Sequence, residues 1–247
     1  MTTTAPLVRR ETDRGIAVLT LDSPHNRNAL SAALIAELTG ALREAARDEA
    51  VRAVLLTHTG STFCAGADLK ADGVHRGPAL LVDLMRQLAE LPKPVVARVE
   101  GHVRAGGLGL LAACDISVAG AAATFAFSEV RLGLAPSVAS IPVLARADQR
   151  AAARWILTGE PFDTAEAVRL GLVTARAEAE EGILAGLRAS SPQGLAESKK
   201  LTTERFLSRL AADSADRTRQ SARLFASQEA AQGVRALLER RDPPWAL

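Results

Sequence analysis

Two stretches of this chain combine small residues in a way that could serve chemistry. Residues 61–70 (STFCAGADLK) follow a buried apolar run and lead toward a helical pattern. The small side chains at 65–67 let a ligand approach the main chain closely. Backbone N–H groups there can point at an anion or a polarised carbonyl. The same composition also suits a plain strand-to-helix turn. Residues 101–109 (GHVRAGGLG) are the second stretch, and they open an apolar helix. A glycine-rich helix start leaves its first N–H groups unpaired and presents the positive end of the helix dipole. Close packing of a helix start against a sheet asks for glycine as well. Two such N–H sources on neighbouring loops would make an oxyanion hole.

The elements that must position these loops can be read from periodicity. Residues 15–21, 51–57, 94–99 and 115–119 read as strands, and 31–47, 79–90 and 106–114 as helices. Ser31 is suited to cap the first helix, and the second ends before Pro92 and Pro94. Alternation of this kind indicates an α/β domain with crossover connections. Beyond about residue 138 strand signals fade. Helices are expected over 148–158, 164–169, 178–189, 192–209 and 213–239, with Pro192 where a first turn tolerates it. The last of these are rich in alanine and leucine. They suit either a subunit interface or packing on their own domain.

Composition excludes several classes. The 247 residues are enough for one large domain or one domain with a small appendage. Thirty basic residues against 28 acidic ones leave a net charge of +2, so no polyanion footprint exists and nucleic acid is not an expected partner. The aromatic content is 3% with no tyrosine, which removes a tyrosine acid and a stacking platform for single strands. Cys64 and Cys114 stand apart without metal-ligand spacing, which argues for a reduced intracellular setting and no metal. No apolar run is long enough to span a bilayer and the N-terminus lacks a signal-peptide core, so a soluble, cytoplasmic protein is expected. A serine peptidase would need a paired Ser and His, yet none of His25, His58, His75 or His102 lies in a peptidase motif.

The order FCAGADLK, then GHVRAGG with AACDI, then FSEVRLGL resembles the enoyl-CoA hydratase/isomerase, or crotonase, superfamily. Asn28-Ala29-Leu30, LTGEPFDTAEAVRLGLV (157–173) and ALLERRDPPW (236–245) fit the same pattern, so the resemblance runs from about residue 8 to the C-terminus. It implies a spiral of β-β-α units forming a core over 1–190, with a helical trimerisation region over 191–247. The implied assembly is a homotrimer or a dimer of trimers. The implied chemistry is addition of water to the 2,3 double bond of an acyl-CoA. A double-bond shift and a non-catalytic acyl-CoA-binding homologue are the alternatives. No separate cofactor is implied, since coenzyme A arrives as part of the substrate thioester.

By match to the family's motifs, the amides of Ala67 and Gly106 bind the thioester oxygen and Glu129 is the general acid/base. Ala29, Ala65, Asp68, Leu69 and Gly107 fall at substrate or coenzyme A positions. His25, Arg27 and Lys70 would meet phosphates, unless they are merely solvated charges. The chain departs from the hydratase pattern at Gly109, where many members carry a second glutamate. Gly109→Glu is therefore expected to restore a second acid and speed hydration, unless the glycine serves close helix packing. Arg104, beside the second loop, would face either solvent or a carboxylated acyl chain.

Overall fold

The computed structural model describes residues 5–69 and 77–247. Along the chain run β1 (Val8–Asp13), β2 (Ile16–Leu21), α1 (Ala32–Arg47), β3 (Ala53–His58), β4 (Thr62–Cys64), α2 (Gly77–Glu90), β5 (Val95–Val99) and β6 (His102–Arg104). Then come α3 (Gly106–Ala113), β7 (Ile116–Ala119), β8 (Thr124–Ala126), α4 (Ser140–Arg146), α5 (Gln149–Thr158), β9 (Phe162–Asp163) and α6 (Thr164–Arg169). The chain ends with β10 (Ala175–Arg176), α7 (Glu180–Ala189), α8 (Pro192–Phe225) and α9 (Gln228–Glu239).

The strands sort into two sheets. A six-stranded sheet has the order β1-β2-β3-β5-β7-β10, and a four-stranded one the order β4-β6-β8-β9. Successive units β3-β4-α2, β5-β6-α3 and β7-β8 each give their first strand to the larger sheet and their second to the smaller one. The chain thus winds as a spiral of β-β-α units, as the resemblance implies. All pairings are parallel except β1 with β2 and β8 with β9.

Parallel strands covered on both faces need continuous apolar runs, which explains sequences such as AVLLTH in β3 and VVARV in β5. One face of the large sheet meets the main core through Leu19, Val54, Leu56 and Ala97. The other presents Ile16, Ala53, Leu55 and Val96 to Leu184 of α7. The sequence of α3, GGLGLLAA, is apolar all round, and residues 107–113 are buried. A helix of that kind belongs inside a core. It therefore fixes the second glycine-rich loop rigidly at its N-terminus.

Most of the strands and helices read from the sequence are present, and Ser31 caps α1 by accepting from the Leu34 N–H at 3.2 Å. Two corrections concern the C-terminal half. No break occurs near 210–212: α8 continues to Phe225, and the turn falls at 226–227, where Ser227 caps α9 by accepting from the Ala230 N–H at 3.2 Å. The polar run DSADRTRQ hides the apolar period, while an Asp216–Arg219 pair one turn apart supports the helix there. In addition, α4 was not expected. In the first turns of α8, Lys199 is buried against Asp115 at 2.7 Å and donates to the carbonyls of Leu88 and Lys93. This contact ties the long helix to the ends of α2 and α3.

Candidate active site

The first loop is built by a pairing that involves the residues before α1. Leu30 and Ala67 form a parallel bridge, with the Leu30 N–H donating to the Gly66 carbonyl at 2.8 Å. The Ala65 N–H donates to the Arg27 carbonyl at 3.1 Å. Asn28 anchors this segment from inside. Its buried side chain accepts from the Ser23 N–H at 2.7 Å and donates to the Thr59 and Thr62 carbonyls at 3.1 and 2.7 Å. Its φ of 53° is left-handed, a region where asparagine is several-fold enriched.

The two loops meet at Gly66. This residue has φ 84°, and a Cβ on it would stand 2.8 Å from the Ala105 Cβ and 3.1 Å from the Gly106 nitrogen. Only glycine permits that approach, and the approach brings the amide of Ala67 beside that of Gly106. Ala105 completes the turn at φ 50°, a strained conformation for a residue with a side chain. Among the described residues, neither the Ala67 nor the Gly106 N–H has a main-chain acceptor outside its own element. As the first residue of α3, Gly106 cannot bond within the helix either. The result is a pair of adjacent donors at a helix N-terminus.

Ala67 and Gly106 both line a cavity of about 140 Å³. Ala65, Ala67, Leu69, Gly106 and Glu129, five of the residues named from the sequence, line it. Glu129 sits on a 3-10 turn (Ser128–Leu132) closed by Gly133, whose N–H returns to the Glu129 carbonyl. Glycine is required at 133 and 233 because α9 lies directly on this turn: a Cβ at Gly233 would stand 2.6 Å from the Leu132 carbonyl carbon. The C-terminal helices therefore hold the turn in place. Ser221 and Phe225 of α8 and Leu237 of α9 also form one wall of the cavity.

Glu129 is buried, and its Oε2 has no partner among the described residues. Desolvation pushes its carboxyl up to about 7. No other ionisable side chain lines the cavity among the described residues. Such a group exchanges protons readily near neutral pH, which is what a general acid/base requires. The two cysteines are unlike it: burial pushes both thiols up to about 12, so they stay protonated.

Other residues named from the sequence are placed away from the cavity lining. His25 and Arg27 are exposed on the segment that pairs with the first loop, and Ala29 is buried beneath it. Asp68 is half-buried next to the bridge, while Lys70 lies outside the described residues. Gly107 points into the core, where a Cβ would be 2.7 Å from the Cys64 carbonyl oxygen. Its glycine allows α3 to rest on β4. Arg104 faces neither solvent alone nor an acyl chain: its guanidinium donates to the Thr124 carbonyl at 2.7 Å and the Thr124 hydroxyl at 2.8 Å, bracing β6 against β8. Burial lowers its pKa.

Gly109 is also settled by geometry. A Cβ there would stand 2.9 Å from the Cα of Ala139 and 3.1 Å from its Cβ. The position is filled by backbone, so the glycine serves packing of α3 on the segment before α4. Gly109→Glu would displace that segment instead of adding an acid. Sequence reasoning missed the segment 134–139 and the C-terminal helices as cavity walls. The first has a family-like sequence but no polar signature that marks it as a wall, and the second meets the site only through tertiary packing.

A family model for enoyl-CoA hydratase/isomerase matches residues 11–246. A Bacillus subtilis protein named "Probable enoyl-CoA hydratase" is 32% identical over 246 residues, covering 94% of this chain and 95% of the relative. The crystal structure of an enoyl-CoA hydratase from Mycobacterium avium superposes with a TM-score of 0.93 at 46% identity, covering 98% of this chain and all of the other. A related chain from Mycobacterium avium paratuberculosis K-10 reaches a TM-score of 0.94 at 48% identity, with 98% and 100% covered.

Proposed function

Because this chain belongs to the enoyl-CoA hydratase/isomerase family, we propose that it adds water across the 2,3 double bond of an enoyl-CoA, with Glu129 as the acid/base. The observation that carries this reading is the buried carboxylate, held near neutral pKa in the same cavity as two unpaired amides. The thioester oxygen accepts from the N–H groups of Ala67 and Gly106. Attack of water at Cβ drives the double-bond electrons toward that oxygen as an enolate. Preorganised donors favour the charge where it develops, each by about 3 kcal/mol where comparable donors have been removed. Glu129 takes a proton from the attacking water, and a proton returns from it to Cα as the enolate collapses.

The apolar lining, including Leu30, Leu81, Leu132 and Leu134, suits an acyl chain. Ala65, Asp68 and Leu69 lie against the coenzyme A moiety, and the basic positions His25, Arg27 and Lys70 meet its phosphates. No cofactor beyond the coenzyme A of the substrate enters this reading. A single carboxylate also suits a double-bond shift, which makes isomerisation the second reading. A pure acyl-CoA binder is disfavoured, since it gains nothing from burying a carboxyl whose Oε2 has no partner among the described residues. Chromatographic separation with mass spectrometry of products from 2-enoyl- and 3-enoyl-CoAs tests all three, since isomers of equal mass are separated before detection and a pure binder gives no product at all. Hydrated product from the 2-enoyl series supports the proposal, and a shifted double bond without water added contradicts it.

A further inference from the structure

A water adding to Cβ needs two groups to fix it, and the cavity offers one carboxylate. We infer that the hydroxyl of Ser137 is the second, a positioning residue that holds the water Glu129 deprotonates. This inference rests on the hydratase reading above. Ser137 lines the same cavity as Glu129 and is 5% exposed. Among the described residues its Oγ makes one hydrogen bond, a long one of 3.4 Å to the Ala135 carbonyl, which already accepts the Ser137 N–H at 2.7 Å. The oxygen lone pairs of that hydroxyl are therefore unused.

Position singles out Ser137 among the lining hydroxyls. Ala139, two residues on, fills the space in front of Gly109. The segment carrying Ser137 thus occupies the side of the cavity toward which an acid on α3 would project. Ser128 lies on the Glu129 turn itself, and Ser221 on the helical wall beside Phe225.

The step balances without a co-reactant. One water proton goes to Glu129, and the water oxygen forms the bond to Cβ. The second proton stays on that oxygen and donates to Ser137 Oγ, while the Ser137 proton remains directed at the Ala135 carbonyl. The carboxyl proton then passes to Cα. Holding the non-transferred proton aims an oxygen lone pair at Cβ, and orientation of this kind controls rate steeply.

Removal of an α-proton needs Glu129 and the oxyanion donors but no oriented water. Ser137→Ala is therefore compared with the unmodified protein in two assays: hydration of crotonyl-CoA, and exchange of the α-protons of butyryl-CoA in deuterated water. We expect kcat for hydration to fall about 10- to 100-fold with KM within about threefold, and exchange to stay within about threefold. Unchanged hydration, or hydration and exchange falling together, would overturn the assignment of Ser137. Failure of the unmodified protein to hydrate crotonyl-CoA or any other 2-enoyl-CoA would instead overturn the hydratase reading.

Discussion

Glu129 combines a functional role with a structural cost. Its pKa of about 7 lies above the ordinary 4.5, so the fold favours the protonated form. The stability linked to it is fully present below about pH 4.5 and is lost as pH rises through about 7. The displacement corresponds to about 3 kcal/mol. Glu129→Gln removes the charge but keeps the shape. It should therefore raise stability toward denaturant by up to about 3 kcal/mol at pH 8 and by almost nothing at pH 4. Urea titrations at the two pH values check this. The amide of Ala67 is tested separately. Ala67→Pro deletes one donor, and a folded variant should lose turnover by about 10²-fold or more. A folded variant with full activity would remove Ala67 from the oxyanion role.

The elements act through closeness of backbone. Gly66 is the narrowest point, where the loop after β4 touches the start of α3. Gly66→Ala must shift one loop away from the other and strain a φ of 84°, so kcat/KM should fall steeply while the fold loses about 1–3 kcal/mol. The Lys199–Asp115 contact anchors α8 in a different way. Desolvation dominates both partners, raising the Asp115 pKa and lowering that of Lys199, so burial offsets much of the ionic attraction. Removing one partner still leaves the other charge buried and unpaired. Lys199→Ala should cost about 3–5 kcal/mol, read by chemical denaturation. The sequence displays α3, the four central strands of the large sheet (β2, β3, β5 and β7) and both loops because each has an uninterrupted apolar or glycine-rich signature. It hides β4 and β6, which are three residues each, too short for a period to form. Glu129 was legible through its neighbouring motif, whereas its burial was not, because α9 covers the turn from a hundred residues away.

At the scale of the molecule, no helix among the described residues is long and apolar enough to cross a membrane. The C-terminal helices carry exposed Leu201, Leu237 and Leu238. Leu237 also belongs to the cavity wall, so a neighbouring copy covering α9 would close the site as well. A trimer or dimer of trimers is the expected assembly, and light scattering should give a mass that is three or six times 25.9 kDa. A stable monomer at micromolar concentration would contradict it.

The central claim, that one buried glutamate performs the proton transfers of hydration, meets its most direct test in the pH dependence of kcat/KM on crotonyl-CoA. The carboxylate form must receive the proton from water. The protein should therefore gain activity as pH rises and reach a plateau above about 7, while Glu129→Gln should lie at least about 10²-fold lower across the range with substrate affinity preserved. A Glu129→Gln variant that keeps the activity and the pH profile of the unmodified protein would contradict the account.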